Sequence, residues 1–228
     1  MSNEFNEKFF AWSMAMSGKP NASEYEKGDK IILPQQVILN IKPSEDGSPL
    51  YFRLTNKEQR LAMHVGVLEF TALDGNCHLP FWIMSQLLLG EGSPVSVQLV
   101  SDIKPASAIK LKPQDKNFTD KMSDPKAVLE NRLRKYTCLT KGTWICINYL
   151  DENHYFDVVD TQPEPIVSLI NTDCNLEFEL PPQPKKESKK PKSNRPKLTP
   201  IITKGHTEFK PVTKLDRFPG KGRRLGYD

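Results

Sequence analysis

The chain has 228 residues, of which 37% are hydrophobic and 26% charged, with a formal net charge of +4. That length supports one large core or two small ones, and no stretch approaches the ~20 apolar residues that a membrane-spanning helix needs. The charge is divided: Pro181–Asp228 carries 14 Lys/Arg against 4 Asp/Glu, a net of +10, which leaves a net of −6 on Met1–Leu180. An acidic body with a basic tail is the reverse of a nucleic-acid-binding fold, whose positive field belongs on the folded surface, so no specific nucleic-acid partner is expected.

In chain order, the first 30 residues contain no continuous apolar run and predict no signal peptide. Phe10, Trp12, Met14 and Met16 alternate with Ala11, Ser13 and Ala15, which predicts a strand with one large and one small face. Lys30–Leu33 is a short apolar strand stopped by Pro34, and Leu50, Phe52 and Leu54 alternate again. From Val65 a strand carries Leu68 and Phe70 on one side and meets the turn dipeptide Asp74-Gly75, followed by a second short strand. Leu79-Pro80 opens a helix whose apolar face carries Trp82, Ile83, Leu87 and Leu88, with Gly90 placed to end it. Val95, Val97 and Leu99 form another strand, and Ile109 with Leu111 a further one. Many short strands with turn signals and few helices predict a mainly β fold closed into a barrel.

The stretch 112–123 is polar and marks a boundary. Asp124 then serves as N-cap and Pro125 as first helical residue, with Val128, Leu129 and Leu133 as the apolar stripe. Trp144–Leu150 and Tyr155–Val159 form a hairpin across Asp151-Glu152-Asn153, and Ile166–Ile170 and Leu176–Phe178 are two more strands, giving a small α+β unit. From Pro181 a segment with six prolines and seven basic residues cannot bury enough apolar area to offset ordering entropy, so a disordered basic tail is expected.

Two stretches carry a family resemblance. The residues Gly66-Val67-Leu68-Glu69-Phe70, Leu79-Pro80 with Trp82 and Met84, and Leu87-Leu88-Leu89 with Glu91-Gly92 form the first, and Asp124–Tyr149 the second. Together they resemble the ubiquitin fusion degradation protein 1 family, the substrate-recruiting cofactors of the valosin-containing-protein AAA ATPase. The resemblance implies a double-psi β-barrel over 8–112, a small α+β roll over 124–180, a linker over 181–217 and an ATPase-binding linear motif over 218–228. It also implies a non-enzymatic adaptor that binds ubiquitin or polyubiquitinated substrates and works in ubiquitin-dependent and endoplasmic-reticulum-associated degradation. Cytoplasm and nucleus, with recruitment to the endoplasmic-reticulum surface, follow as the expected locations.

No catalytic constellation stands out. Asp74-Gly75-Asn76 and Asp160-Thr161-Gln162 each break the Asp-Thr/Ser-Gly pattern that a paired-carboxylate protease requires. Cys77 and His78 are strand neighbours, so their side chains face opposite ways and form no nucleophile–base couple. His64, His78, His154 and His206 lack metal-ligand spacing, so neither metal nor cofactor is expected. Cys77, Cys138, Cys146 and Cys174 include no Cys-x-x-Cys pair and are expected to be reduced structural thiols in a soluble intracellular protein.

In the tail, Phe218, Gly220, Gly222 and Leu225 are similar to the family's ATPase-binding box, with Phe218 and Leu225 as apolar anchors and the glycines allowing close backbone approach. The run Gly220–Gly226 lacks the strand and helix that a phosphate-binding loop needs. Thr207-Glu208-Phe209-Lys210 is similar to the segment through which the family docks nuclear protein localisation protein 4, with Phe209 as its apolar residue. Lys185, Lys186, Lys189, Lys190 and Lys192, continued by Arg195 and Lys197, fit either a nuclear import signal or a solvated spacer. The alternative for the whole chain is a basic-tailed nuclear or RNA-associated protein that keeps the fold without ubiquitin recognition.

Overall fold

The computed structural model describes residues 5–41, 47–115 and 124–179. The linker lysines, Phe209 and the Phe218–Leu225 box all lie outside them. Six strands close into a barrel: β1 (Asn6–Ser13), β2 (Lys30–Pro34), β3 (Tyr51–Asn56), β4 (Leu61–Ala72), β5 (Asn76–Leu79) and β6 (Ser93–Val100), paired in the order β1-β5-β2-β4-β3-β6. Each strand sends two side chains, two positions apart, into one core. These are Phe9 and Ala11, Ile31 and Leu33, Phe52 and Leu54, Met63 and Val65, Cys77 and Leu79, and Val95 and Val97. The repeat of two is the pleat of a half-buried strand, and it is what fixes the register.

One local expectation is corrected and one is refined. The first strand ends at Ser13, and Met14–Ser17 form a 3-10 turn. Its small face points inward: Ala11 and Ser13 are buried with Phe9, while Phe10 stands in solvent. In a small barrel, bulky residues cannot occupy every inward position, so alternation locates two faces without saying which is core. The Asp74-Gly75 turn forms, with Gly75 at φ 77°, but it does not join ladder partners. β2 lies between, parallel to β4 and paired antiparallel to β5 at Ile32 and His78, and β5 runs parallel to β1.

Three short helices accompany the barrel: α1 (Ala22–Tyr25), α2 (Gln35–Asn40) and α3 (Phe81–Gln86). Helix α3 buries Trp82, Ile83 and Met84, with Leu87 just beyond. It ends at Gln86, with Leu88 rather than Gly90 as the terminating residue. Leu88 itself takes the left-handed conformation (φ 53°), Leu88 N–H returns to the Ser85 carbonyl and Leu89 N–H to that of Met84. This is the double return bond of a Schellman end, with leucine where glycine is usual. Asn56 Nδ2 donates to the Leu87 carbonyl at 2.8 Å and helps hold that end. Leu88 therefore leaves the expected apolar stripe and is 65% exposed.

The second lobe comprises β7 (Ala108–Pro113), α4 (Pro125–Leu133), β8 (Cys138–Thr140), β9 (Trp144–Tyr149), β10 (Glu152–Gln162), β11 (Ile166–Ser168) and β12 (Asn175–Phe178). A sheet of order β12-β7-β10-β9 carries it, with β8 and β11 paired separately. The strand expected at Ile109 and Leu111 is β7, but it pairs with β10 and β12 and belongs to this lobe, not to the barrel. The changeover thus falls before Ala108, ahead of the polar stretch. Helix α4 starts as its sequence dictates, with Asp124 Oδ1 accepting from Ala127 N–H at 3.1 Å and Leu129 and Leu133 buried.

The two lobes meet without room to spare. A Cβ on Gly66 of β4 would lie 2.2 Å from Thr137 Oγ1, at the threshold of β8. Gly66→Ala is accordingly expected to destabilise the fold by about 1–3 kcal/mol through overpacking. Denaturant unfolding checks it, and a Thr137→Gly background, which also removes the Cβ that would lie 2.7 Å away, should return part of the loss.

Candidate functional site

The junction is organised by Asp29, at the turn into β2. Its carboxylate is 1% exposed. It accepts from the backbone N–H of Thr137 at 2.8 Å through Oδ1, and from that of Cys138 at 3.0 Å through Oδ2. Burial pushes the Asp29 pKa up to about 6, against the pull of those two amides. Further bonds cross the same boundary. Tyr51 Oη donates to Ser168 Oγ at 2.6 Å and His64 Nδ1 contacts Thr140 Oγ1 at 3.0 Å, while within the barrel lobe Trp82 Nε1 donates to the Gly28 carbonyl at 2.9 Å. Burial, then the nearby Arg53 charge, lowers the His64 pKa to about 4, so this histidine is neutral and structural at physiological pH.

Beside this junction α3 faces the β9–β10 hairpin across a cavity of about 500 Å³. Trp82 and Trp144 line it, with ring centroids 5.7 Å apart, and Tyr155 stands edge-on to Trp144 at 5.4 Å. Phe81, the first residue of α3, is 63% exposed on the rim, and Tyr155 is 39% exposed. Pro80 has no side chain able to cap α3, and Glu26 Oε2 does so instead, accepting from Phe81 N–H at 2.7 Å. Burial raises the Glu26 pKa. Across the groove Leu150 and Asp151 both have positive φ (50° and 61°), the geometry of a tight two-residue hairpin turn. The turn therefore sits one residue earlier than the sequence suggested, and it places Asp151 on the groove wall.

Glu26 and Asp151 belong to no ion pair among the described residues. Lys27, the cation that lines the groove, is held by Glu24 at 2.6 Å. The groove is thus aromatic in its floor and acidic on its sides. Nothing in the sequence singled these residues out, since Glu26, Phe81 and the hairpin residues Trp144 and Asp151 converge from three separate segments. The one visible signal was an exposed-type position, Phe81, occupied by an aromatic residue.

A second concavity, about 420 Å³, lies on the barrel between Trp12, Met16, Ile32, Leu73, Asn76 and His78. The other residues weighed for chemistry fall apart in space. Cys77 is buried while His78 faces this concavity and meets the Ser13 carbonyl through Nδ1 at 3.2 Å. Asp160 is in an ion pair with Lys141 at 2.7 Å that holds its pKa below the usual carboxylate range. Among the described residues no group of three or more His, Cys, Asp or Glu is placed to hold a metal, and no helix is long and apolar enough to cross a membrane. Burial pushes the thiol of Cys77 up to about 12 and that of Cys146 up to about 11. Cys138 is raised further still.

Comparison with known proteins is consistent along the chain. Residues 5–103 match the family profile described as ubiquitin fusion degradation protein UFD1, N-terminal subdomain 1, and residues 105–181 match that of N-terminal subdomain 2. The boundary between them agrees with the change of sheet before β7. The mouse protein named ubiquitin recognition factor in ER-associated degradation protein 1 is 37% identical over 224 residues, covering 98% of this chain and 71% of that one. Its human namesake is 41% identical over 180 residues, covering 78% and 58%. Ubiquitin fusion degradation protein 1 of Saccharomyces cerevisiae is 33% identical over 185 residues, covering 79% and 51%.

The junction makes a pH prediction with a definite sign. The Asp29 carboxyl has a folded pKa of about 6 against an unfolded value of about 3.9. Its contribution to stability is therefore fully present below about pH 4 and is lost as pH rises through about 6. The stability difference between the wild type and Asp29→Asn should shrink by on the order of 2–3 kcal/mol between pH 4 and pH 7. Urea unfolding of both proteins across that range measures it; a flat difference would mean that the two amides keep the carboxyl at its ordinary pKa.

Proposed function

The chain belongs to the ubiquitin fusion degradation protein UFD1 family, and on that premise we propose that it is a non-enzymatic ubiquitin-recognition adaptor. The observation that carries this is the extent of the match, 37% identity over 98% of the chain, with a relative whose name states ubiquitin recognition in ER-associated degradation. The two folded lobes hold the ubiquitin-bearing substrate. Residues 181–217 tether them to a linear anchor, and Phe218, Gly220, Gly222 and Leu225 fasten that anchor to a valosin-containing-protein type ATPase. Such an adaptor performs no bond chemistry. It raises the local concentration of modified substrate at the unfoldase, because a second contact on one chain acts as an effective concentration in the millimolar range.

The division of charge supports this arrangement. The body carries a net of −6 and the tail +10, so Lys221, Arg223 and Arg224 speed encounter with an acidic partner more than they add affinity. Phe209 and the lysines between Lys185 and Lys192 belong to the same proposal only as secondary features, a heterodimer contact and an import signal. Nuclear and cytoplasmic residence, with recruitment to the endoplasmic reticulum, follows from the adaptor role.

A labelled Lys214–Asp228 peptide titrated against the amino-terminal domain of the ATPase should bind at roughly micromolar Kd, and Phe218→Ala should weaken it at least about tenfold, as loss of a buried aromatic anchor does. In fluorescence polarisation, equal binding by both peptides would remove the anchor. Deleting 181–228 should abolish ATPase binding and leave ubiquitin binding intact.

A further inference from the structure

We propose that ubiquitin docks in the groove between α3 and the β9–β10 hairpin, with Phe81 and Tyr155 as apolar anchors and Glu26 and Asp151 as the charged rim. This deepens the adaptor reading and depends on it. The groove is the place on the described surface where three features coincide. Two exposed aromatic residues stand over a floor of two tryptophans, in a concavity of about 500 Å³. Single exposed apolar residues are ordinary on any protein, but aromatic residues gathered around a pocket are the composition of interface hot spots. Phe81 is not exposed because the fold needs it there. It is the first residue of α3, and what the helix takes from this position is its backbone N–H, received by Glu26.

Charge selects the partner. Glu26 and Asp151 line the groove outside any ion pair among the described residues, and the lining Lys27 is occupied by Glu24. A partner that fits presents an apolar patch ringed by cationic side chains, which is the chemistry of ubiquitin's recognition face. The second concavity, on the barrel, offers apolar residues too. There, however, Lys19 and Glu69 neutralise each other at 2.8 Å, so no excess of either charge favours such a partner. Rigidity points the same way. The groove walls come from different lobes locked by Asp29 and by the Trp144 N–H bond to Gln86 Oε1 at 3.2 Å, and a preformed groove suits a preformed surface.

The test uses the isotopically labelled full chain titrated with ubiquitin at low and moderate salt. Resonances of Phe81, Ser85, the Trp144 indole and Asn153 should move first. Phe81→Ala should weaken binding at least tenfold. Asp151→Asn, which keeps a residue at ease with positive φ, should weaken it two- to fivefold and flatten the salt dependence. Phe10→Ala, by the other concavity, should change neither. Shifts confined to Trp12, Leu73 and His78, with binding indifferent to Phe81→Ala, would overturn the groove and keep the adaptor reading. Groove signals that respond to Phe218→Ala rather than to ubiquitin would assign the groove to the chain's own tail, and signals that move on dilution alone would assign it to a second copy. A full chain that shows no ubiquitin-induced shift anywhere removes the adaptor reading, and the groove assignment with it.

Discussion

A single buried carboxylate ties this molecule together. Asp29 leaves the barrel at the start of β2 and takes two consecutive backbone amides from the other lobe, at Thr137 and Cys138. Those amides precede and open β8, a three-residue strand paired to β11 alone. Without Asp29 they would be buried donors with nothing to meet, a cost of about 1–3 kcal/mol each. The carboxyl group satisfies both at once, one through each oxygen. In exchange the protein carries an ionisable group in a dry place. The groove inherits its geometry from this clamp, since α3 hangs from the barrel and the hairpin from the second lobe.

Much of the fold was legible in the chain, and what was legible was local. Alternation marked β1, β3, β4 and β6, an apolar run stopped by Pro34 marked β2, the Asp74-Gly75 turn marked β5, and Asp124-Pro125 marked the start of α4 to the residue. The long-range facts were hidden. Asp74-Gly75 looks like a hairpin turn because turn chemistry is set by two residues, whereas ladder partners are set by the whole barrel; β2, more than thirty residues upstream, takes the place between β4 and β5. Likewise β7 has the same alternating apolar pattern as a barrel strand, and only its pairing with β10 and β12 reveals its lobe. The inverted face of β1 has the same origin, since inside a narrow barrel Ala11 is the residue that fits.

The candidate groove was less legible still. Its residues carry no shared motif, because recognition of a protein surface needs shape and charge at separated points, not a fixed spacing. Glu26 caps a helix 55 positions away along the chain, so the usual search for a capping residue next to the helix start passes over it. By contrast the proposed tail anchor, Phe218 to Leu225, is a short pattern visible in sequence. In the adaptor proposed above, the docking face depends on folding and the anchor on a short sequence pattern, so the two would be written in different kinds of information.

The three deeply buried thiols have a consequence of their own. With Cys77, Cys138 and Cys146 all far from forming thiolates at neutral pH, the nucleophilic sulfur that oxidants attack is scarce in the folded lobes. Cys174, the half-buried fourth, sits outside the barrel between β11 and β12. Oxidants would therefore reach the folded lobes at their periphery before their core. Burial raises the Cys174 thiol too, so access is what sets it apart and makes it the natural attachment point for a thiol-reactive probe on the unmodified chain.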